Sequence, residues 1–158
     1  GGFLPLAVTM VQKHVFDAFD EPDAQKTFWH GHSYTANPLG CAAALASLTL
    51  TETNRAAFET MESWHIDGIS DLVSTGLTHH ERICGTIMAV DVRMDADSKT
   101  GYLSEIGPII KKKALEHGIL IRPLGNVLYL MPPYCITKDE LSDVYQDLTK
   151  ILTELKIK

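Results

Sequence analysis

The sequence predicts an α/β chain whose C-terminal lobe is α+β, a small antiparallel sheet covered by helices. Three features carry that expectation. A helix start at Asn37-Pro38 leads into a run of small and apolar residues. Short extended segments follow, punctuated by glycine and proline. A long amphipathic stretch then opens at Thr137.

Residues 1–36 combine glycine, proline, aromatics and three histidines, with an amphipathic piece near Thr9–Phe19. Asn37 is a good N-cap, and Pro38 suits the first helical position because it has no N–H to leave unpaired. The small side chains of Cys41, Ala42, Ala43, Ala44, Ala46 and Ser47 let a helix over 39–50 pack closely on a neighbour. Residues 54–75 continue as a second helix, with Ala57, Met61, Trp64 and Ile69 as inward positions. Gly76 and Gly85 are expected to bracket a polar turn that leaves His79 and His80 in solvent.

Thr86–Val92 reads as a strand, with Thr86, Met88, Val90 and Val92 on one face. A polar loop is expected over 95–101, then a helix from Ile106 to His117 stopped by Gly118. Ile119–Arg122 and Val127–Met131 are short extended segments joined through a Gly125-Asn126 turn. Their Met and Leu residues are read as core. Turns this short favour antiparallel pairing. Thr137-Lys138-Asp139-Glu140 is a capping box, in which hydroxyl and carboxylate each satisfy a free backbone N–H. Leu141, Val144, Tyr145, Leu148, Ile151, Leu152 and Leu155 then form one apolar face. The lobe boundary is expected between residues 75 and 85, dividing the chain into 1–78 and 79–158.

With 158 residues, 45% hydrophobic and 22% charged, the chain can bury a real core. Its formal charge of −6 argues against binding a phosphate backbone, and Lys111–Lys113 is the one basic run. Three widely spaced cysteines suit a reducing compartment better than a disulfide framework. No apolar run is long enough to span a membrane. His30 and His32 invite a metal reading, but no further ligands accompany them at a recognised spacing, so no metal is expected.

Two segments carry chemistry. Trp29-His30-Gly31-His32-Ser33-Tyr34-Thr35-Ala36-Asn37-Pro38 places a glycine and a hydroxyl just ahead of a helix start. Backbone N–H groups and one hydroxyl can reach a phosphate there, and Gly31 lets the backbone approach closely. An aromatic-rich loop packed under a helix is equally compatible with these residues. In Gly118-Ile-Leu-Ile-Arg122-Pro123, an arginine ends an apolar run and needs an anionic partner. Its planar fork matches a carboxylate in two parallel hydrogen bonds. The partner is either a substrate or one of the 20 acidic residues of the chain.

At these segments, and over Gly1 to about Leu155, the sequence closely resembles the class III aminotransferases of fold type I. Gly1-Gly2-Phe3-Leu4-Pro5-Leu6-Ala7 is similar to the stretch after the family's cofactor lysine. His30–Ala44 resembles its phosphate loop and helix. Ile121-Arg-Pro-Leu-Gly-Asn-Val-Leu-Tyr-Leu-Met-Pro-Pro-Tyr134 resembles its substrate-carboxylate segment.

The resemblance implies the end of a large cofactor-binding domain with a connecting helix over 1–78, and a small C-terminal domain over 79–158. It implies pyridoxal 5'-phosphate as cofactor, with His32 and Ser33 on the phosphate. Gly31 and Arg122 would contact substrate. His32 stands where many members have proline, and Ser33 where threonine is commoner. The implied reaction moves an amino group from S-adenosylmethionine to 8-amino-7-oxononanoate, in biotin biosynthesis, in a cytoplasmic homodimer whose phosphate loop reaches the partner's cofactor. An ω-amino-acid transaminase and a non-catalytic assembly module are the alternatives. The resemblance places the cofactor lysine before Gly1, and no lysine in the chain follows its pattern. By itself the chain is expected to be inactive, with no catalytic residue of its own.

Overall fold

The computed structural model describes residues 3–93 and 100–155 and divides the chain into two compact units, 1–53 and 54–158. The polar loop expected over 95–101 lies largely outside the described residues.

The first unit holds two helices, α1 (Lys13–Asp17) and α2 (Pro38–Thr53). The amphipathic piece expected over 9–19 is thus a helix of only five residues, and none of them is buried. Asn37 caps α2 as predicted, its Oδ1 accepting the Leu39 N–H at 3.0 Å. The small residues of α2 behave as expected only in part: Ala43, Ala44 and Ser47 are half-buried, whereas Cys41, Ala42 and Ala46 are exposed. Gly40 is buried, and the segment from Phe3 to Val8 lies along Ala43, Ala44 and Ser47. Leu39 and Leu45 are exposed on other faces of the helix, and Leu48, at the border of the small-residue face, is exposed as well.

The second unit is a three-stranded antiparallel sheet with helices packed on it. Its elements are α3 (Arg55–Ser74), β1 (Thr78–Cys84), β2 (Ile87–Val92), α4 (Ile106–Glu116), β3 (Val127–Leu130) and α5 (Lys138–Glu154). The strand order is β1-β2-β3. β1 and β2 form a hairpin whose two loop residues are Gly85 and Thr86, and Gly85 takes φ +56°. A positive φ of this kind is what tight hairpin turns require. β2 and β3 also pair antiparallel, although α4 lies between them in the chain. Short turns therefore explain only one of the two pairings.

The expected polar turn over 76–85 is corrected by this sheet: 78–84 is an edge strand. Its burial is irregular because it pairs on one side only and carries a bulge between His79 and Arg82. The period-2 pattern that marks a half-buried strand is therefore missing from its sequence. In β2 that pattern is clear, and Met88, Val90 and Val92 are fully buried.

α3 packs against β1, β2 and α5, and α4 packs against α5. The buried stripe of α3 is Met61, His65, Ile69 and Leu72, with Ala57 and Trp64 half-buried beside it. Helices α3 and α5 meet closely at Gly68, where any added Cβ would be driven into the Tyr145 ring. The capping box of α5 is present in full: Thr137 Oγ1 accepts the Glu140 N–H, and the Glu140 carboxylate accepts the Thr137 N–H at 2.8 Å. Those bonds from Thr137 hold the Glu140 carboxyl below the usual carboxylate range. Leu141, Tyr145, Leu148, Ile151 and Leu152 fill the core from α5, as the spacing predicts.

Candidate functional site

Gly31, His32 and Ser33 come together in one exposed turn of the first unit. Thr35 Oγ1 accepts the His32 N–H at 3.1 Å, and the Thr35 N–H donates to the His32 carbonyl at 3.0 Å. Ala36 follows at φ +53°, an unusual value for a residue with a Cβ, and turns the chain into the Asn37 cap. The Tyr34 N–H donates to His32 Nδ1 at 3.2 Å. With Nδ1 accepting, the ring's N–H is at Nε2, on the far side of the ring. Ser33 makes no hydrogen bond among the described residues, through either its hydroxyl or its backbone N–H. Gly31 has open space where a side chain would be, with Thr35 Oγ1 the nearest atom at 3.9 Å.

The turn therefore presents two donors on Ser33 and one on the His32 ring, held by Thr35. Sequence reasoning missed Thr35. A threonine three residues after a backbone N–H is a recognisable turn-forming placement and was the available signal.

Arg122 belongs to the second unit and to a different environment. It is exposed at the edge of a pocket of about 300 Å³, walled by Ile119, Tyr129, Met131, Pro133 and Val144. No carboxylate pairs with it among the described residues. Of the two partners open to it from sequence, the structural ion pair finds no support among these residues.

The backbone beyond Arg122 is firmly placed. Leu124 and Val127 exchange both backbone hydrogen bonds across Gly125-Asn126. Asn126 is buried, its Oδ1 accepting the Gly101 N–H at 2.7 Å and its carbonyl accepting the Val92 N–H at 2.8 Å. Gly125 takes φ +61°, and a Cβ there would collide with the Gly101 carbonyl. Leu128 and Leu130 are core as expected, but Met131 is 64% exposed and lines the pocket instead. The strand has ended by Met131, and Pro132 and Pro133 leave its side chain uncovered. Tyr134 is anchored by its ring on Phe58 of α3, centroids 4.3 Å apart.

Over residues 1–152 the sequence matches the family described as Aminotransferase class-III, and the chain belongs to that family.

Particular relatives narrow the likeness. The chain is 44% identical over 155 residues to the adenosylmethionine-8-amino-7-oxononanoate aminotransferase of Synechococcus elongatus, covering 98% of this chain and 36% of that protein. It is 34% identical to the mitochondrial bifunctional dethiobiotin synthetase/7,8-diamino-pelargonic acid aminotransferase of Arabidopsis thaliana, covering 98% and 19% respectively. Among solved structures, the adenosylmethionine-8-amino-7-oxononanoate aminotransferase from Methanocaldococcus jannaschii superposes with a TM-score of 0.84 at 29% identity, over 97% of this chain and 36% of that one. The fold is that of a class III aminotransferase, as the resemblance implied. The chain spans about a third of the length of the bacterial relatives it matches and about a fifth of the Arabidopsis protein.

Proposed function

We propose that this chain is the phosphate-clamping and carboxylate-gripping part of a pyridoxal-phosphate aminotransferase. The longer enzyme would take an amino group from S-adenosylmethionine and give it to 8-amino-7-oxononanoate, yielding 7,8-diaminononanoate for biotin. The observation that carries the reading is Arg122, a guanidinium with no ion-pair partner among the described residues, over an apolar pocket of about 300 Å³. The proposed acceptor is a carboxylate on a methylene chain. Arg122 would take the carboxylate through two parallel hydrogen bonds. The walls of Ile119, Met131 and Val144 would cover methylenes, each worth roughly 0.8 kcal/mol when buried.

The Gly31–Ser33 turn fits a phosphate monoester. Ser33 offers its unengaged hydroxyl and N–H, and His32 offers Nε2–H. Gly31 adds no bulk where a substrate would pass. Pyridoxal phosphate, when bound, supplies the electron sink that lets an amino group and a proton exchange between donor and acceptor carbons. The residues of this chain bind and orient, and none of its lysines is assigned a catalytic role.

The proposal extends to organisation. Residues 1–78 belong to the large domain with its connecting helix, and 79–158 to the small domain. The clamp turn serves a partner subunit's cofactor in a homodimer. The exposed Leu39, Leu45 and Leu48 of α2 support cover by further protein. No described helix is long and apolar enough to cross a membrane. The cytoplasmic location we propose rests on the family resemblance.

The test uses the full-length enzyme that contains this chain, supplied with pyridoxal phosphate and 8-amino-7-oxononanoate. Formation of 7,8-diaminononanoate with S-adenosylmethionine as donor is expected. Turnover of ω-amino donors alone would instead make it an ω-amino-acid transaminase. No turnover with any donor would favour an assembly role.

A further inference from the structure

The bulge in β1 creates a cluster that the aminotransferase reading does not use. Between His79 and Arg82 the chain advances three residues while β2 advances two, from Asp91 to Ala89. One extra residue is thereby inserted on β1. In a regular strand, neighbouring side chains point to opposite faces. Here His80 takes φ +52°, and its ring comes round to within 4.4 Å, centroid to centroid, of the His79 ring. His79 is directly opposite Asp91 in the ladder, so all three side chains converge. One ligand atom from each of His79, His80 and Asp91 lies within 4.8 Å of the other two.

We propose that His79, His80 and Asp91 form a three-ligand site for a borderline first-row divalent cation of the Zn²⁺ type. Two imidazoles with one carboxylate suit such an ion, whereas Mg²⁺ and Ca²⁺ take oxygen ligands. Zn²⁺ with ligands at about 2.0–2.1 Å in a tetrahedron separates them by roughly 3.3 Å. His80 Nδ1 and Asp91 Oδ2 are already 3.3 Å apart, so His79 is the group that must swing in. Its Nδ1 is buried without a hydrogen-bond partner among the described residues, so none of their bonds at that atom has to be given up. The cluster borders an open pocket of about 560 Å³, through which water can complete the coordination.

Arg82 is the opposing feature, since its charge is repelled by any cation here. It lies on the other carboxylate oxygen, Oδ1, at 2.8 Å, and also donates to the His80 carbonyl. It thereby holds both the bulge and the carboxylate, as an outer hydrogen-bond partner of a ligand does. Its repulsion weakens the site relative to one without an opposing charge. The bound ion would tie the bulge of β1 to β2.

Equilibrium dialysis of the untagged full chain against micromolar Zn²⁺, with millimolar Mg²⁺ present, tests the assignment. One bound equivalent per chain is expected at saturation. His79→Ala and His80→Gly should each weaken it by about tenfold or more. His80→Gly is chosen because glycine accepts the positive φ, so the hairpin survives, as circular dichroism will report. His117→Ala, which removes the imidazole paired with Asp147, should leave binding unchanged. Zn²⁺ held equally well by His79→Ala and His80→Gly would overturn the proposal, as would no binding to the parent chain.

Discussion

His65 and Tyr145 are hydrogen-bonded at 2.7 Å, Nδ1 to phenolic oxygen, although 80 residues separate them in the chain. Both are buried, His65 on α3 and Tyr145 on α5. His65 Nε2 donates to the Thr86 carbonyl at 3.2 Å, so Nδ1 is the lone-pair nitrogen and Tyr145 is the donor. Burial pushes the Tyr145 hydroxyl above its ordinary range, which keeps that proton in place. One neutral imidazole thus ties both helices to the β1–β2 hairpin. Tyr145→Phe should cost about 1–3 kcal/mol, because it strands a buried acceptor. Urea denaturation of the full chain measures it, and an unchanged midpoint would show that the bond contributes nothing.

The same pair gives stability a pH dependence with a definite sign. Burial lowers the His65 pKa from 6.5 in the fold. As pH falls through about 6.5, the unfolded chain takes up a proton that the folded chain refuses, so stability falls. The contribution is complete above the unfolded value and is lost progressively below it. Denaturation midpoints measured between about pH 7.5 and 5.5 should therefore decline, and His65→Gln should flatten the decline. Equal slopes in parent and variant would assign the effect to other groups.

What the sequence disclosed here is what short-range rules can reach. The Thr137–Glu140 box and the apolar stripe of α5 were legible because each residue's role depends on neighbours within one or two turns. The Gly31–Ser33 turn and Arg122 stood out as motif segments, and their roles remain those proposed above. His65 was not: its burial depends on Tyr145 and Thr86, and nothing local distinguishes it from a surface histidine. Nor was β1, because Thr78-His79-His80-Glu81-Arg82 is polar on both faces and pairs only through β2. The bulge that gathers His79, His80 and Asp91 is a property of register, which a single strand's residues do not specify. That Arg122 has no ion-pair partner among the described residues also required the three-dimensional arrangement.

Gly125 should be a positioning residue for Arg122. A side chain there meets both a positive φ and the Gly101 carbonyl. Gly125→Ala should displace the turn that begins three residues beyond the guanidinium. In the full-length enzyme we expect a raised KM for 8-amino-7-oxononanoate with kcat less affected. Gly76→Ala, also at positive φ but with no atom within 4 Å, is the comparison for backbone strain alone. Equal effects of the two substitutions on KM would remove any special role for Gly125.

Arg122 itself is tested by truncation and by lysine. Loss of a desolvated charged pair costs about 2–5 kcal/mol, so Arg122→Ala should lower kcat/KM for the keto substrate accordingly. Arg122→Lys should recover little, because a point charge lacks the two-pronged geometry. Folding stability should hardly change in either variant, since no intramolecular ion pair is lost among the described residues. Normal kinetics with lowered stability would show that the arginine is structural.

Ser33 makes the final prediction, and its present lack of partners sharpens it. Removing the hydroxyl breaks no bond among the described residues, so Ser33→Ala should leave the thermal stability of the cofactor-free protein unchanged. Cofactor retention should respond instead. A hydrogen bond to a charged phosphate is worth about 1.5–3 kcal/mol, or roughly 10- to 150-fold in the dissociation constant for pyridoxal phosphate. Ser33→Thr should retain most of that affinity, since it keeps the hydroxyl. Thr35→Ala acts differently. It releases the His32 N–H and loosens the turn, so both the clamp geometry and the local stability should suffer. Equilibrium dialysis of the full-length enzyme with pyridoxal phosphate separates these outcomes. If Ser33→Ala binds as tightly as the parent while Thr35→Ala does not, the turn's backbone and the His32 ring hold the phosphate without the hydroxyl.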